Sequence, residues 1–150
     1  NFPGTVDTFV CATVPVTLPP AEHLDEEKLA AIVTDESAKT TDRIYAAHDL
    51  LFLRRMRAGA TIDIACLKLG KARVLHMPGE LFVEYQLNAQ KLRPDLFVAM
   101  AAYGDYSPGY IGTEVAYGQG GYETSPRASN TAPQVEAVLM GAVRQLLGVE

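Results

Sequence analysis

The chain has 150 residues, of which 48% are hydrophobic and 21% are charged, and its net charge at pH 7 is −5. A chain of this length and composition forms one ordinary domain with a real core, which argues against a disordered protein. A negative net charge without a basic run argues against a nucleic-acid-binding surface and against a patch for anionic membranes.

The first part of the chain predicts one strand followed by two helices. Residues 6–19 are rich in Val and Thr and predict a strand. Pro15 indicates that the later half of this strand lies at a sheet edge or forms an extended arm. Residues 25–33 predict a helix, since the three acidic residues at its N-terminal end interact favourably with the helix dipole. The polar residues 35–42 predict a turn, and residues 44–57 predict a second helix.

The middle of the chain predicts a hairpin, a helix and a buried strand. Residues 61–70 and 71–77 predict two strands joined by a tight turn. A Pro-Gly pair ends the second strand, and residues 80–92 predict a helix. The continuous apolar run 96–104 predicts a strand that is buried on both faces.

A long stretch rich in glycine and tyrosine precedes the last helix. About 27 residues from Tyr103 to Asn130 lack periodicity, and they hold five of the seven tyrosines and half of the 12 glycines. We interpret the stretch as an ordered loop lining a site, since loops of this length are usually functional. The alternative is a packed Ω-loop whose tyrosines cover the core. A final helix then begins with Thr131 as its cap and ends at Gly148.

The order of these elements predicts a single α/β domain over residues 1–150, with a mixed sheet and flanking helices. No apolar run reaches the roughly 18 residues of a membrane span, so no transmembrane segment is expected. Cys11 and Cys66 are interpreted as small buried apolar residues, and whether they pair is left open. Because the chain starts at Asn1, we expect a processed or excised piece of a longer protein.

Two predicted strands end in residues that could carry chemistry. Glu80 follows the Pro-Gly turn, and the loop tyrosines follow residues 96–104. If the two strands are parallel neighbours, these groups meet at one edge of the sheet. The alternative for Glu80 is stabilisation of a helix N-terminus. The three histidines, His23, His48 and His76, lack the spacing of metal ligands and are interpreted as packed or surface residues. A supporting role for His76 behind Glu80 is conceivable but is not favoured.

Two segments together resemble a known family of enzymes. Residues 62–82 contain P-G-E, and residues 97–123 contain G-Y-I-x-T and a G-Y-E ending. These motifs resemble the C-terminal part of the catalytic domain of the neutral/alkaline, non-lysosomal ceramidases. The likeness extends over roughly residues 60–147. It implies that the chain is the C-terminal portion of a larger ceramidase-like catalytic domain.

The resemblance also implies a chemistry. Ceramidases of this family hydrolyse the amide bond of N-acyl sphingoid lipids at a zinc ion. Glu80 and Tyr110 match two of the metal ligands, Tyr122 matches a tyrosine at the reacting carbonyl, and Tyr117 is interpreted as a packing residue. The two histidine ligands are expected upstream, in the N-terminal remainder of the same protein. The isolated 150 residues are therefore expected to be inactive.

Some positions depart from the family pattern. Leu81-Phe82-Val83 follow Glu80 where ceramidases usually carry threonines, and Gly112-Thr113 replace a Thr pair. The substrate is therefore left as an N-acyl sphingoid lipid or a related small-molecule amide. The alternative function is a non-catalytic binding or structural domain with the same fold. Because members of this family are typically exported, the resemblance favours a secreted or periplasmic protein.

Overall fold

The computed structural model describes residues 9–104 and 108–149 of the chain. The helices and strands of these residues are, in chain order, β1 (Phe9–Val16), α1 (Glu26–Thr34), α2 (Thr40–Arg57), β2 (Ile62–Leu69), β3 (Ala72–Pro78), β4 (Glu80–Leu81), α3 (Val83–Leu92), β5 (Phe97–Gly104), β6 (Tyr110–Ile111), α4 (Glu114–Gln119) and α5 (Val135–Leu147).

The main sheet has four strands in the order β1-β2-β3-β5. Its first three strands are antiparallel neighbours, and β5 lies parallel to β3. This arrangement confirms the predicted α/β fold with a mixed sheet. It also places the two strands that precede Glu80 and the tyrosine-rich stretch side by side in parallel. Strands β4 and β6 form a separate parallel pair.

The core lies on one face of the main sheet. Ile64 and Leu75 point into it from the central strands, and Leu139 and Val143 of α5 pack with them; all four are fully buried. The apolar positions of α5 recur at helical spacing, so that one side of the helix is covered. No helix in the described ranges is both long and apolar enough to cross a bilayer.

The opposite face of the same sheet is apolar but is not buried. Side chains alternate between the faces of a strand, so the paired residues Cys11, Leu67, Val74 and Ala99 form one row across this face. Each of them is exposed or half-buried, and Phe9 in the neighbouring row is 74% exposed. Within residues 9–104 and 108–149, helices therefore cover the main sheet on one side only.

Most of the predicted elements are confirmed, with shifts at their ends. β1 is an edge strand, as Pro15 predicts, and residues 6–8 of the predicted strand lie outside the described residues. Asp25 caps α1 through bonds from the amides of Glu27 and Lys28. Helix α2 begins at Thr40, within the predicted turn, and α5 begins at Val135 rather than directly after Thr131.

Two predictions on the strand edges are wrong. Residues 96–104 are not buried on both faces, because β5 belongs to the same half-covered sheet: Val98 on the core side is 2% exposed, and Phe97 on the other side is 50% exposed. Cys11 is exposed on the uncovered face of β1, whereas Cys66 is buried as predicted, and both thiols are free.

The helix predicted over residues 80–92 begins three residues late, at Val83. Residues 80–81 instead pair with β6, so Glu80 lies on a strand and not in a first helical turn. The helix-dipole interpretation of Glu80 is therefore wrong. The predicted long loop is also interrupted, since it contains β6 and α4; its residues 105–107 lie outside the described ranges.

Candidate functional site

Backbone pairing places Glu80 next to Tyr110. The two residues are direct partners in the parallel pair β4–β6. The amide of Glu80 donates to the carbonyl of Gly109 at 3.0 Å, and the amide of Tyr110 donates to the carbonyl of Ala128 at 2.8 Å. Paired residues in neighbouring strands project their side chains to the same side. The carboxylate and the phenol therefore share one surface.

Two glycines make this close backbone approach possible. Gly79 has φ +61° and Gly109 has φ +78°, and residues other than glycine rarely adopt such backbone conformations. A Cβ on Gly79 would lie 2.8 Å from the carbonyl oxygen of Gly109, and a Cβ on Gly109 would overlap the carbonyl oxygen of Ala128. The glycines are therefore structural requirements of the turn that presents Glu80 and Tyr110.

Tyr103 at the end of β5 is a third member of the cluster. It is the one non-glycine residue with positive φ among the described residues, at +62°. Its amide donates to the carbonyl of Gly79 at 2.7 Å, which holds this uncommon conformation in place. Hydrogen bonding with Glu80 raises the pKa of Tyr103. Tyr103 is one of the loop tyrosines expected at this edge if the two strands are parallel neighbours, but the sequence assigned it no role of its own.

The carboxylate of Glu80 also controls the ionisation of Tyr110. Hydrogen bonding with Glu80 and, after it, partial desolvation raise the pKa of the Tyr110 phenol to about 12. A carboxylate stabilises the neutral phenol because the phenol donates to it, whereas a phenolate would be repelled. One carboxylate and two phenols thus meet as a cluster of oxygen donors.

A small cavity of about 140 Å³ opens beside this cluster. It is lined by Gly79, Glu80, Tyr103, Gly104 and Gly109. The cavity lies beyond the carboxyl ends of the parallel strands β3 and β5, where sites in α/β sheets gather. It has room for a small ion or a few water molecules, but not for a whole lipid amide.

Tyr122 extends the site away from Glu80. Its ring centre lies 6.2 Å from that of Tyr110, with an angle of 73° between the rings, which is an edge-to-face contact. The side chain is 59% exposed, and it also lines a second, larger cavity of about 700 Å³. The three residues predicted from sequence are thus adjacent, with Tyr110 in the middle.

Tyr117, which the sequence assigns to packing, lies apart from the site. Its hydroxyl group hydrogen-bonds with the Ser129 hydroxyl at 2.9 Å and the Thr131 hydroxyl at 2.8 Å. Both partners are buried. This network joins α4 to the segment before α5, and the packing interpretation agrees with it.

The histidines stand in different surroundings. The ring of His76 lies against Gly104, since a Cβ on that glycine would come within 2.6 Å of it. His48 lines the larger cavity, and partial burial lowers the pKa of His23 although Asp49 opposes that shift. Within residues 9–104 and 108–149, no group of three or more His, Cys, Asp or Glu side chains is arranged to hold a metal ion.

No protein-family model matches the chain, and no curated protein matches its sequence. Solved structures with a similar fold include a ceramidase complexed with C2, with 18% identity over 60% of this chain and a TM-score of 0.48. Another is the neutral ceramidase from Pseudomonas aeruginosa, with 18% identity over 59% of this chain and a TM-score of 0.46. The chain spans 16% of the length of each of these structures.

Proposed function

We propose that this chain is the C-terminal portion of a zinc-dependent amide hydrolase of ceramidase type, which acts on an N-acyl sphingoid lipid or a related amide. One observation supports the proposal above all. Glu80 and Tyr110, which match metal ligands of that family in sequence, come from separate parts of the chain and are direct partners in β4–β6. Tyr122, matched to the carbonyl contact, touches Tyr110 edge to face.

The donor set suits the proposed ion. Zinc accepts carboxylate and imidazole ligands, and it would accept the Tyr110 oxygen once the positive charge of the ion offsets that of Glu80 and the phenol loses its proton. Glu80 and Tyr110 would hold the ion together with the two histidines expected upstream of this chain. When bound, zinc supplies a water of pKa about 7 and polarises the amide carbonyl.

The chain's own residues have separate tasks in this proposal. Tyr103 would hold the Glu80 carboxylate in one orientation, because an oriented ligand needs a hydrogen-bonding partner behind it. The exposed Tyr122 hydroxyl would donate a hydrogen bond to the carbonyl oxygen of the amide as negative charge develops there.

The uncovered sheet face supports the second part of the proposal, that more of the same catalytic domain packs on this chain. The face of a sheet that water covers is normally polar, whereas an apolar face is normally buried against another layer. Here the row Cys11, Leu67, Val74 and Ala99 is apolar and unburied. Contiguous apolar surface of this kind marks an interaction site. The proposed partner is the N-terminal remainder of the same protein.

The zinc content of the complete protein that contains this chain tests the proposal. We expect one zinc ion per molecule, measured by elemental analysis after dialysis, and a sharp loss of zinc in Tyr110→Phe. Tyr45→Phe is the matched control, because it removes a phenol hydroxyl from α2, outside the Glu80 cluster. Unchanged zinc content in Tyr110→Phe would contradict the proposed site.

The isolated 150 residues give a corollary. With only two of the proposed ligands, this chain should bind zinc weakly and should not hydrolyse an N-acyl amine. A complete protein that binds no zinc would favour a non-catalytic binding or structural domain instead. Hydrolysis by the isolated chain would show that the site is misplaced.

A further inference from the structure

The larger cavity, of about 700 Å³, has a lining that the proposed hydrolysis does not explain. It lies between α2 and the segment from Tyr122 to Asn130. Its walls carry charged, amide and aromatic side chains, unlike a channel for an alkyl chain. Asp42, Tyr45 and Asp49 lie on one side of α2, since they are spaced by three and four residues.

One part of the lining is held by hydrogen bonds within the protein. The carboxylate of Asp49 accepts a hydrogen bond from the side-chain amide of Asn130 at 2.8 Å and lies 3.5 Å from the imidazole of His48. Asn130 is 8% exposed, and its backbone amide donates to the carbonyl of Pro108 at 2.9 Å. Asp49 therefore has partners already and forms a fixed wall.

Two other charges in the lining have no such partners. Asp42 and Arg127 face the same cavity, one from α2 and the other from the opposite segment. Within the described ranges, neither side chain forms an ion pair or a hydrogen bond. An anion and a cation that stand unpaired across a cavity are complementary to a ligand that carries both signs of charge.

The aromatic lining suits the cationic end of such a ligand. Tyr45 and Tyr122 both line the cavity, and they are 70% and 59% exposed, so neither side chain is covered by the core. An ammonium group is attracted to the face of an aromatic ring as well as to a carboxylate. A guanidinium group binds carboxylate and phosphate with paired hydrogen bonds.

We propose that this cavity binds a small zwitterion, with its ammonium group near Asp42 and the tyrosine rings and its carboxylate or phosphate group on Arg127. The proposal does not rest on the amide hydrolysis, because binding here needs neither zinc nor the Glu80 cluster. Tyr122 and Gly109 line this cavity, and Gly109 also lines the small one. A ligand held here would therefore lie next to the proposed reaction site.

A binding experiment on the metal-free chain tests the proposal with four probes. β-Alanine carries ammonium and carboxylate, and O-phosphoethanolamine carries ammonium and phosphate; ethanolamine and acetate carry one charge each. We expect saturable changes in amide NMR shifts around Asp42 and Arg127 with at least one zwitterion. Its affinity should exceed that of both single-charge probes by about tenfold or more. The tighter of the two zwitterions identifies the acidic group.

Variants give the second part of the test. Asp42→Asn and Arg127→Gln should each weaken the binding of the better zwitterion by about tenfold. Both side chains are exposed, so the fold should persist, as the dispersion of the amide spectrum reports. Glu36→Gln and Lys39→Gln are the matched controls, since they remove like charges nearby that do not line the cavity, and they should change nothing.

Two results would overturn the proposal. One is equal binding of zwitterions and single-charge probes, and the other is unchanged affinity in both cavity variants. If the isolated chain gives no dispersed spectrum, the complete protein is titrated with the same probes by saturation-transfer NMR. Absence of saturable zwitterion binding in a folded sample also overturns it.

Discussion

The two cavities on either side of Gly109 differ in whether their charged side chains have partners within the protein. In the small cavity, the Glu80 carboxylate already interacts with the phenols of Tyr103 and Tyr110. In the large cavity, Asp42 and Arg127 have no partners among the described residues. Polar side chains that hydrogen-bond with one another have a fixed orientation before a ligand binds. Charged side chains without partners become ordered only when a ligand binds to them.

This difference indicates what each cavity is suited to bind. An oriented cluster of oxygen donors matches a small ion, which needs fixed ligand positions. Separated charges with aromatic walls match an organic ligand, which brings its own charges and fills more space. Both cavities depend on the same backbone turn, because Gly109 lines both of them.

The largest expected effect comes from Gly109→Ala, which should damage both cavities at once. The added methyl group would overlap the carbonyl oxygen of Ala128, and residue 109 would have to keep a φ of +78°, which alanine rarely adopts. We expect the free energy of unfolding to fall by at least about 2 kcal/mol. Urea denaturation followed by circular dichroism measures this change.

The matched control for that variant is Gly118→Ala. Gly118 lies in α4, its φ is not positive, and a Cβ there meets no atom within 4 Å. Alanine also has the higher helix propensity, so stability should stay unchanged or rise by up to about 1 kcal/mol. Equal losses in the two variants would contradict the account of the Gly109 turn.

A smaller effect separates the two cavities, because Glu80→Gln should alter only the small one. Without the carboxylate, the pKa of Tyr110 should fall from about 12 towards the ordinary value of 10.0. The phenolate absorbance during an alkaline titration reports this change. Glu123→Gln is the matched control, since Glu123 contributes least to the raised pKa, and it should shift the titration less.

The same titration has a consequence for stability. The folded pKa of Tyr110 lies above the unfolded value, so its interaction with Glu80 stabilises the fold fully below pH 10.0 and is lost as the pH rises through about 12. Glu80→Gln should reduce this alkaline loss relative to the unsubstituted protein. An identical pH dependence in both proteins would show that Glu80 and Tyr110 do not interact.

Sequence patterns predicted the frame of the site well. Alternation in residues 61–70 and 71–77 identified β2 and β3, whereas the parallel pairing of β3 with β5 was a condition that the structure supplies. Given that pairing, Glu80 and the loop tyrosines, Tyr110 among them, were expected to meet at one edge of the sheet. That prediction needed only strand order, because carboxyl ends of parallel strands share an edge.

Other features gave too little local signal. β4 and β6 have two residues each and α4 has six, which is too short for periodicity to be read. The positive φ of Tyr103 depends on a hydrogen bond to Gly79, which no pattern around Tyr103 reveals. Asp42 and Arg127 lie far apart in the chain, and only the folded structure places them at one cavity.

Zinc removal from the complete protein that contains this chain tests the central claim most directly. The measurement is the rate of hydrolysis of an N-acyl sphingoid amide before chelation, after chelation and dialysis, and after zinc is returned. The account predicts loss of hydrolysis on removal and recovery with about one equivalent of zinc. Hydrolysis that persists without zinc, or a protein that hydrolyses no amide when zinc is bound, would contradict it.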